Sequence, residues 1–180
     1  MTGTLTTERR TPTLAPAPAR LHRGAILFLG LLLYQTFHQL EHTIETTQLQ
    51  ILHHREAHTL IGGADFEWIH FGANFFLLWG LVGVMLGAGA ANRARWRSSF
   101  PLGWSALCLA VTVQGYHMLE HSVRIVQYLT SGGDDPPGIV TTVLNPVWFH
   151  FGINLTVLVA MYVAFFGLGI HRSLGSRRPT

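Results

Sequence analysis

Ionisable side chains are costly inside a long apolar run, and this chain places the same set there twice. Phe37-His38-Gln39-Leu40-Glu41-His42 is answered by Tyr116-His117-Met118-Leu119-Glu120-His121. Each phrase is followed at nearly the same distance by another shared one, Trp68-Ile69-His70-Phe71-Gly72-Ala73-Asn74 and Trp148-Phe149-His150-Phe151-Gly152-Ile153-Asn154. A shift of 79 residues aligns Gln35 with Gln114, His38 with His117, Glu41 with Glu120, His42 with His121 and Gln48 with Gln127. A shift of 80 aligns Trp68 with Trp148, His70 with His150, Gly72 with Gly152 and Asn74 with Asn154. The apolar residues between these positions have drifted. What the two halves share is mainly polar or aromatic, a set that lipophilicity alone does not require.

The surrounding runs define the fold class. Only 12% of the 180 residues are charged against 48% hydrophobic, whereas a soluble domain carries about 25% charged residues. Four apolar segments, at about 24–52, 66–90, 100–129 and 144–170, are each long enough to cross a hydrocarbon layer, which takes about 20 residues. Backbone groups in lipid must be satisfied within the segment, so helices are expected. The expected fold is an all-α integral membrane protein: a bundle of four transmembrane helices, made of two helical hairpins as parallel repeats related by a pseudo-twofold axis along the membrane normal. Its divisions are a disordered tail over 1–22, a first two-helix repeat over 23–91, an arginine-rich loop over 92–99, a second repeat over 100–171 and a tail over 172–180. Gly80, Gly83, Gly87 and Ala91 are candidates for close helix approach.

All 12 basic residues are arginine, and most flank the apolar runs. Arg9, Arg10, Arg20 and Arg23 precede the first segment, Arg93, Arg95 and Arg97 separate the second from the third, and Arg172, Arg177 and Arg178 follow the fourth. In a four-span topology these groups fall on one side, which the positive-inside rule assigns to the cytoplasm. A plasma-membrane protein with both termini cytoplasmic follows, with the lipid bilayer as its partner and no nucleic acid. The opposite loops carry Glu56, Asp65, Asp134 and Asp135 with a single arginine, Arg55. Cys108 stands alone, so neither a disulfide nor a cysteine-based zinc site is available.

Eleven histidines are the compositional sign of chemistry. Residues three and four apart share a helix face, so His38, Glu41, His42 and Glu45, extended by Gln35, form one stripe. His117, Glu120, His121 and Arg124, extended by Gln114, form its counterpart. At 1.5 Å per residue His38 lies about 21 Å beyond Gly24 and His117 about 25 Å beyond Phe100, while His70 and His150 come about 5 Å into helices that run the other way. In a core about 30 Å thick these depths coincide in the outer third. His38, Glu41, His42, His70, His117, Glu120, His121 and His150 are therefore the candidate metal ligands. Asn74 and Asn154, with Gln35 and Gln114, are candidates to orient them. Glu45 and Arg124, equivalent positions of opposite charge, are expected to pair across the pseudo-twofold.

Imidazole and carboxylate donors suit Fe, Zn, Cu or Mn, and helical Glu and His at i, i+3 spacing build dimetal sites in bundles. Such a centre facing lipid suits a metal-dependent oxidoreductase acting on a hydrophobic small molecule, served by a redox partner. The motif style resembles the histidine boxes of membrane di-iron hydroxylases and desaturases, which carry more boxes at other spacings. His-x-x-Glu-His also matches the inverted zinc-peptidase motif, but duplication would then demand two adjacent peptidase sites and leave no substrate domain. Haem b is the main alternative, with axial histidines on facing helices and Gly72 and Gly152 leaving room for a macrocycle. A metal- or proton-responsive binding or transport protein, and a purely structural membrane subunit, are further alternatives. His53, His54 and His58 have no counterpart in the second half and are expected at the surface, as is His171. Trp68 and Trp148 fit an aromatic belt.

Overall fold

The computed structural model describes residues 19–57, 67–96, 101–131 and 138–175, and within them the chain is all helical, with no strand. Helix α1 spans Ala19–Thr46 and runs on into one π-helical turn, Thr47–Ile51. Helices α2 (Glu67–Trp96), α3 (Pro101–Ser131) and α4 (Pro146–Gly167) follow, and a short α5 (Ile170–Gly175) closes the chain. Two of them, α2 over Trp68–Gly87 and α4 over Pro146–Gly167, are long and apolar enough to cross a membrane. The polar stripes lie on the other two long helices, α1 and α3.

Local chemistry explains the ends. Pro101 and Pro146 open α3 and α4, where a missing N–H costs nothing. Asn145 caps α4 by accepting from the Val147 and Trp148 amides at 3.0 and 3.2 Å. The fourth apolar segment was expected to run to about residue 170, but α4 stops at Gly167. Gly169 takes φ 67, a left-handed conformation that favours glycine and turns the chain into α5. At the other end α1 begins at Ala19, inside the stretch expected to be tail, and α2 continues to Trp96, inside the expected loop. Residues 1–18 of the tail, His58 and the acidic Asp65, Asp134 and Asp135 lie outside the described residues.

The four long helices close a ring in which α1 packs on α2, α2 on α3, α3 on α4 and α4 on α1, with α5 folded against α1 and α4. One end of the ring is dry. Phe28, Leu32, Leu77, Leu81, Val84, Ala106, Leu107, Ala110, Val157, Ala160, Met161, Ala164 and Phe165 form a single buried cluster. Their i, i+3 and i+4 spacing turns one apolar face of each helix to the common axis. Phe28 and Phe165 stack with centroids 5.9 Å apart.

The close backbone approach is not at the glycines expected. A Cβ on Gly83 or Gly87 would meet nothing within 4 Å, and Gly80 faces the Leu31 side chain. At Gly103 a Cβ would stand 2.7 Å from the carbonyl carbon of Gly167, so the start of α3 and the end of α4 touch backbone to backbone. Gly83 and Gly87 fail to do this because they sit on the exposed side of α2.

Candidate metal centre

A layer of four amides separates the dry end from the histidines. Gln35 donates to the Asn154 side-chain oxygen at 3.0 Å and to its backbone oxygen at 3.1 Å. Gln114 does the same to Asn74, at 2.8 and 3.3 Å. Asn74 and Asn154 in turn donate to the His70 and His150 carbonyls one turn back, at 2.9 and 3.0 Å. All four side chains are fully buried. The asparagines thus position the helix turns that carry His70 and His150 and tie α1 to α4 and α3 to α2. They contact the backbone of those histidines.

Above this layer the helices bring six histidines together. His38 and His42 on α1 and His117 and His121 on α3 are i, i+4 pairs, and His70 and His150 come from the first turns of α2 and α4. They fall into two groups that could each hold a metal ion, His38/His42/His70 and His117/His121/His150, with the ligand atoms of each group within 4.8 Å of one another. Within the first group the ring centroids are 4.6, 5.5 and 5.7 Å apart. Within the second they are 4.8, 5.5 and 5.3 Å apart. The groups meet through His42 and His150 at 6.0 Å and through His70 and His121 at 5.7 Å.

Five of these six rings are buried, and His70 is half-buried. Buried polar atoms normally find partners. Here His38 Nε2, His42 Nε2, His117 Nδ1 and His150 Nε2 have none. In two of these rings the opposite nitrogen meets an oxygen acceptor. His42 Nδ1 lies 3.1 Å from the Glu45 carboxylate, and His150 Nδ1 lies 2.9 Å from the Pro146 carbonyl. An acceptor at Nδ1 places the proton there and leaves Nε2 with a free lone pair, the arrangement that orients histidine ligands on metals. His117 and His121 differ, since their Nε2 atoms bond each other at 3.1 Å.

Both glutamates of the expected ligand set stand outside the two groups. The Glu120 carboxylate accepts from the Ile139 amide at 2.8 Å, the Val140 amide at 3.3 Å, the Thr141 hydroxyl at 3.2 Å and, more weakly, the Tyr116 hydroxyl at 3.4 Å. Gln127 assists by accepting from the Gly138 amide and donating to its carbonyl. Together they clamp the segment leading into α4. Gly138 takes φ 72 and has Glu120 Oε1 where a Cβ would stand. Glu41 is buried and its Oε1 has no hydrogen-bond partner. Residues 58–66, which correspond in sequence to the clamped segment, lie outside the described residues.

Glu45 was expected opposite Arg124. The structure gives its carboxylate to His42, three residues back on the same helix. That i, i+3 spacing was visible in the sequence, and it is the signal that could have found this contact. His53 and His54 are exposed, His53 at φ 55. Trp68 and Trp148 stand half-exposed at the starts of α2 and α4. His171 packs on the Phe165 and Phe166 rings, away from the cluster.

Three imidazoles per group form an all-nitrogen donor set, which suits Zn, Cu, Fe or Ni better than Mn. Three protein ligands also leave a coordination position for an exchangeable ligand. Comparison with protein-family models, with curated proteins and with solved structures finds no significant match.

Proposed function

We propose that this chain is a four-span membrane protein that holds a pair of transition-metal ions, one on each histidine triad, near the outer face of the bilayer. The observation that carries the proposal is the set of four buried imidazole nitrogens without partners, spread over both triads. Hydrogen bonding between helices does not account for atoms that bond nothing. Two metal ions give each of them a use.

The membrane placement draws on the outside of the bundle. Large apolar side chains project from all four long helices, among them Leu33, Phe76, Leu102 and Val159. A surface of this kind is a liability in water and suits lipid. The two hairpins act as equivalent halves about a pseudo-twofold. Support comes from the reciprocal bonds Gln35 to Asn154 and Gln114 to Asn74, and from the reciprocal stacks of His42 on His150 and His70 on His121. Arginines at both termini and between α2 and α3 put that shared end in the cytoplasm.

The activity we propose is that of an oxidoreductase. Two redox-capable ions a few ångströms apart, each with an open position, suit electron exchange with a hydrophobic small molecule arriving from the lipid. A non-haem centre is favoured over haem b because neighbouring rings lie 4.6–6.0 Å apart and their ligand atoms gather into two triads, whereas haem b takes two axial histidines on opposite faces of a macrocycle.

Metal analysis and an absorption spectrum of detergent-purified full-length protein test this. Two equivalents of copper or iron per chain are expected, with no Soret band. His38→Ala and His117→Ala should each remove about one equivalent, and His53→Ala none. Folded protein without stoichiometric metal would overturn the metal centre. Zinc as the native ion, being redox-silent, would overturn the oxidoreductase assignment alone.

A further inference from the structure

The seam between α1 and α4 holds buried polar groups that the fold leaves unpaired. Gln35, Gln39, His42, Thr46 and Gln50 recur at three- and four-residue intervals and share one face of α1. That face meets α4. Gln35 bonds Asn154, His42 stacks on His150 with centroids 6.0 Å apart, and Asn145 donates weakly to Gln50 at 3.4 Å. Gln39 and Thr46 stand between these contacts, about one turn to either side of His42. Both are more than nine-tenths buried. Neither amide atom of Gln39 has a hydrogen-bond partner, and Thr46 Oγ1 has none either. Helical threonines commonly bond the carbonyl four residues back, as Thr36, Thr43 and Thr47 do at 2.7 Å. Thr46 does not.

The second half does not repeat this pattern. The residues equivalent to Gln39, Thr46 and Gln50 are Met118, Ile125 and Leu129, and Met118 and Ile125 are buried there. The repeat therefore folds without polar groups at these positions. A π-helical turn, Thr47–Ile51, also ends this face of α1, whereas α3 continues as α-helix to Ser131. Single π turns inside helices concentrate at functional sites.

We infer that the α1/α4 seam binds the polar end of a lipid-soluble substrate, a carbonyl or hydroxyl headgroup, with Gln39 and Thr46 as its hydrogen-bonding partners. The inference rests on the metal centre proposed above and names the substrate class of that centre. His42 belongs to one triad and His150 to the other, so a headgroup held between Gln39 and Thr46 lies beside both. An amide and a hydroxyl each donate and accept. The two side chains can thus bond a carbonyl oxygen or a hydroxyl, the forms that a quinone and its hydroquinone present. Without a ligand Gln39 stays unpaired. Gln39→Met should therefore relieve the ligand-free protein and weaken binding, a split that a purely structural glutamine would not show.

Equilibrium dialysis of duroquinone against metal-replete, detergent-purified full-length protein tests the site. Durene, the same methylated ring without the oxygens, is the control, and uptake by empty micelles is subtracted. Saturable duroquinone binding is expected, with durene at least about tenfold weaker. Gln39→Met should weaken duroquinone binding about tenfold and Thr46→Val about threefold, with metal stoichiometry unchanged. Met118→Leu, at the equivalent place in the second half, should change neither. No saturable duroquinone binding by metal-replete protein, durene binding as tight as duroquinone binding, or duroquinone binding indifferent to both Gln39→Met and Thr46→Val would each overturn the headgroup site and leave the metal centre standing. Folded protein that holds no metal would overturn the metal centre, and this inference with it.

Discussion

The two ends of the bundle are built on opposite logics. At the dry end, Phe28, Leu32, Leu107, Met161 and their neighbours have only to fill space. Equivalent positions there hold different residues, as with Leu32 against Val111, and the backbone contact of Gly103 on Gly167 lies in the second hairpin. At the polar end Gln35/Gln114, His38/His117, His42/His121, His70/His150 and Asn74/Asn154 are the same residues in both halves, and contacts among them come in reciprocal pairs. Packing is satisfied by many combinations of volume, whereas a hydrogen-bonded amide layer and two sets of ligand atoms are satisfied by few. The comparison teaches that the fold tolerates asymmetry where it needs only volume, and keeps symmetry where it needs particular atoms.

Substitutions at the two ends should therefore separate stability from chemistry. Leu107→Ala, at a fully buried site, should cost about 2–5 kcal/mol in a detergent unfolding equilibrium, with metal stoichiometry unchanged in the folded fraction. Gly103→Ala should cost about 1–3 kcal/mol, because the atoms it meets are Gly167 backbone and cannot rotate away. Glu120→Gln tests whether this carboxylate clamps or ligates. Losing charge-assisted bonds to the Ile139 and Val140 amides should cost about 1.5–3 kcal/mol and speed hydrogen exchange at those two amides. Both equivalents of metal should remain. A lost equivalent with unchanged exchange would make Glu120 a ligand and erase the distinction between clamp and cluster.

Much of this contrast was legible in the sequence, for physical reasons. Periodicity located the helices, because apolar length is the strongest signal a chain carries. Spacing and depth put His38, His42, His70, His117, His121 and His150 within reach of one another. The roles of the carboxylates were not legible. At about 100° per residue, position 41 lies roughly 60° to one side of position 38, and position 42 roughly 40° to the other. A stripe that wide faces both the bundle axis and the hairpin's own loop. Glu120 turns to the loop because the free amides of Ile139 and Val140 are there to receive it, and a loop conformation set by Gly138 at positive φ leaves little trace in spacing. The end of α4 was missed for the same reason, since Gly169 reads as one more small residue in an apolar run.

The smallest effect is expected where the halves disagree inside the polar end. Gln39 is buried, and neither of its amide atoms has a hydrogen-bond partner. Its counterpart Met118 fills the equivalent place with an apolar chain of similar length. Contacts of Gln35, His42 and Gln50 with Asn154, His150 and Asn145 show that this side of α1 faces α4. Gln39 therefore carries unsatisfied polar atoms to a place where the second half has an apolar side chain. Burying an unpaired amide is unfavourable by about 1–3 kcal/mol, so Gln39→Met should stabilise the metal-free protein by about 1 kcal/mol. That is opposite in sign to every substitution above, and the metal stoichiometry should not change. A loss of stability instead would mean that Gln39 bonds something in the working protein, and that the α1/α4 seam belongs with the part of the molecule that needs particular atoms.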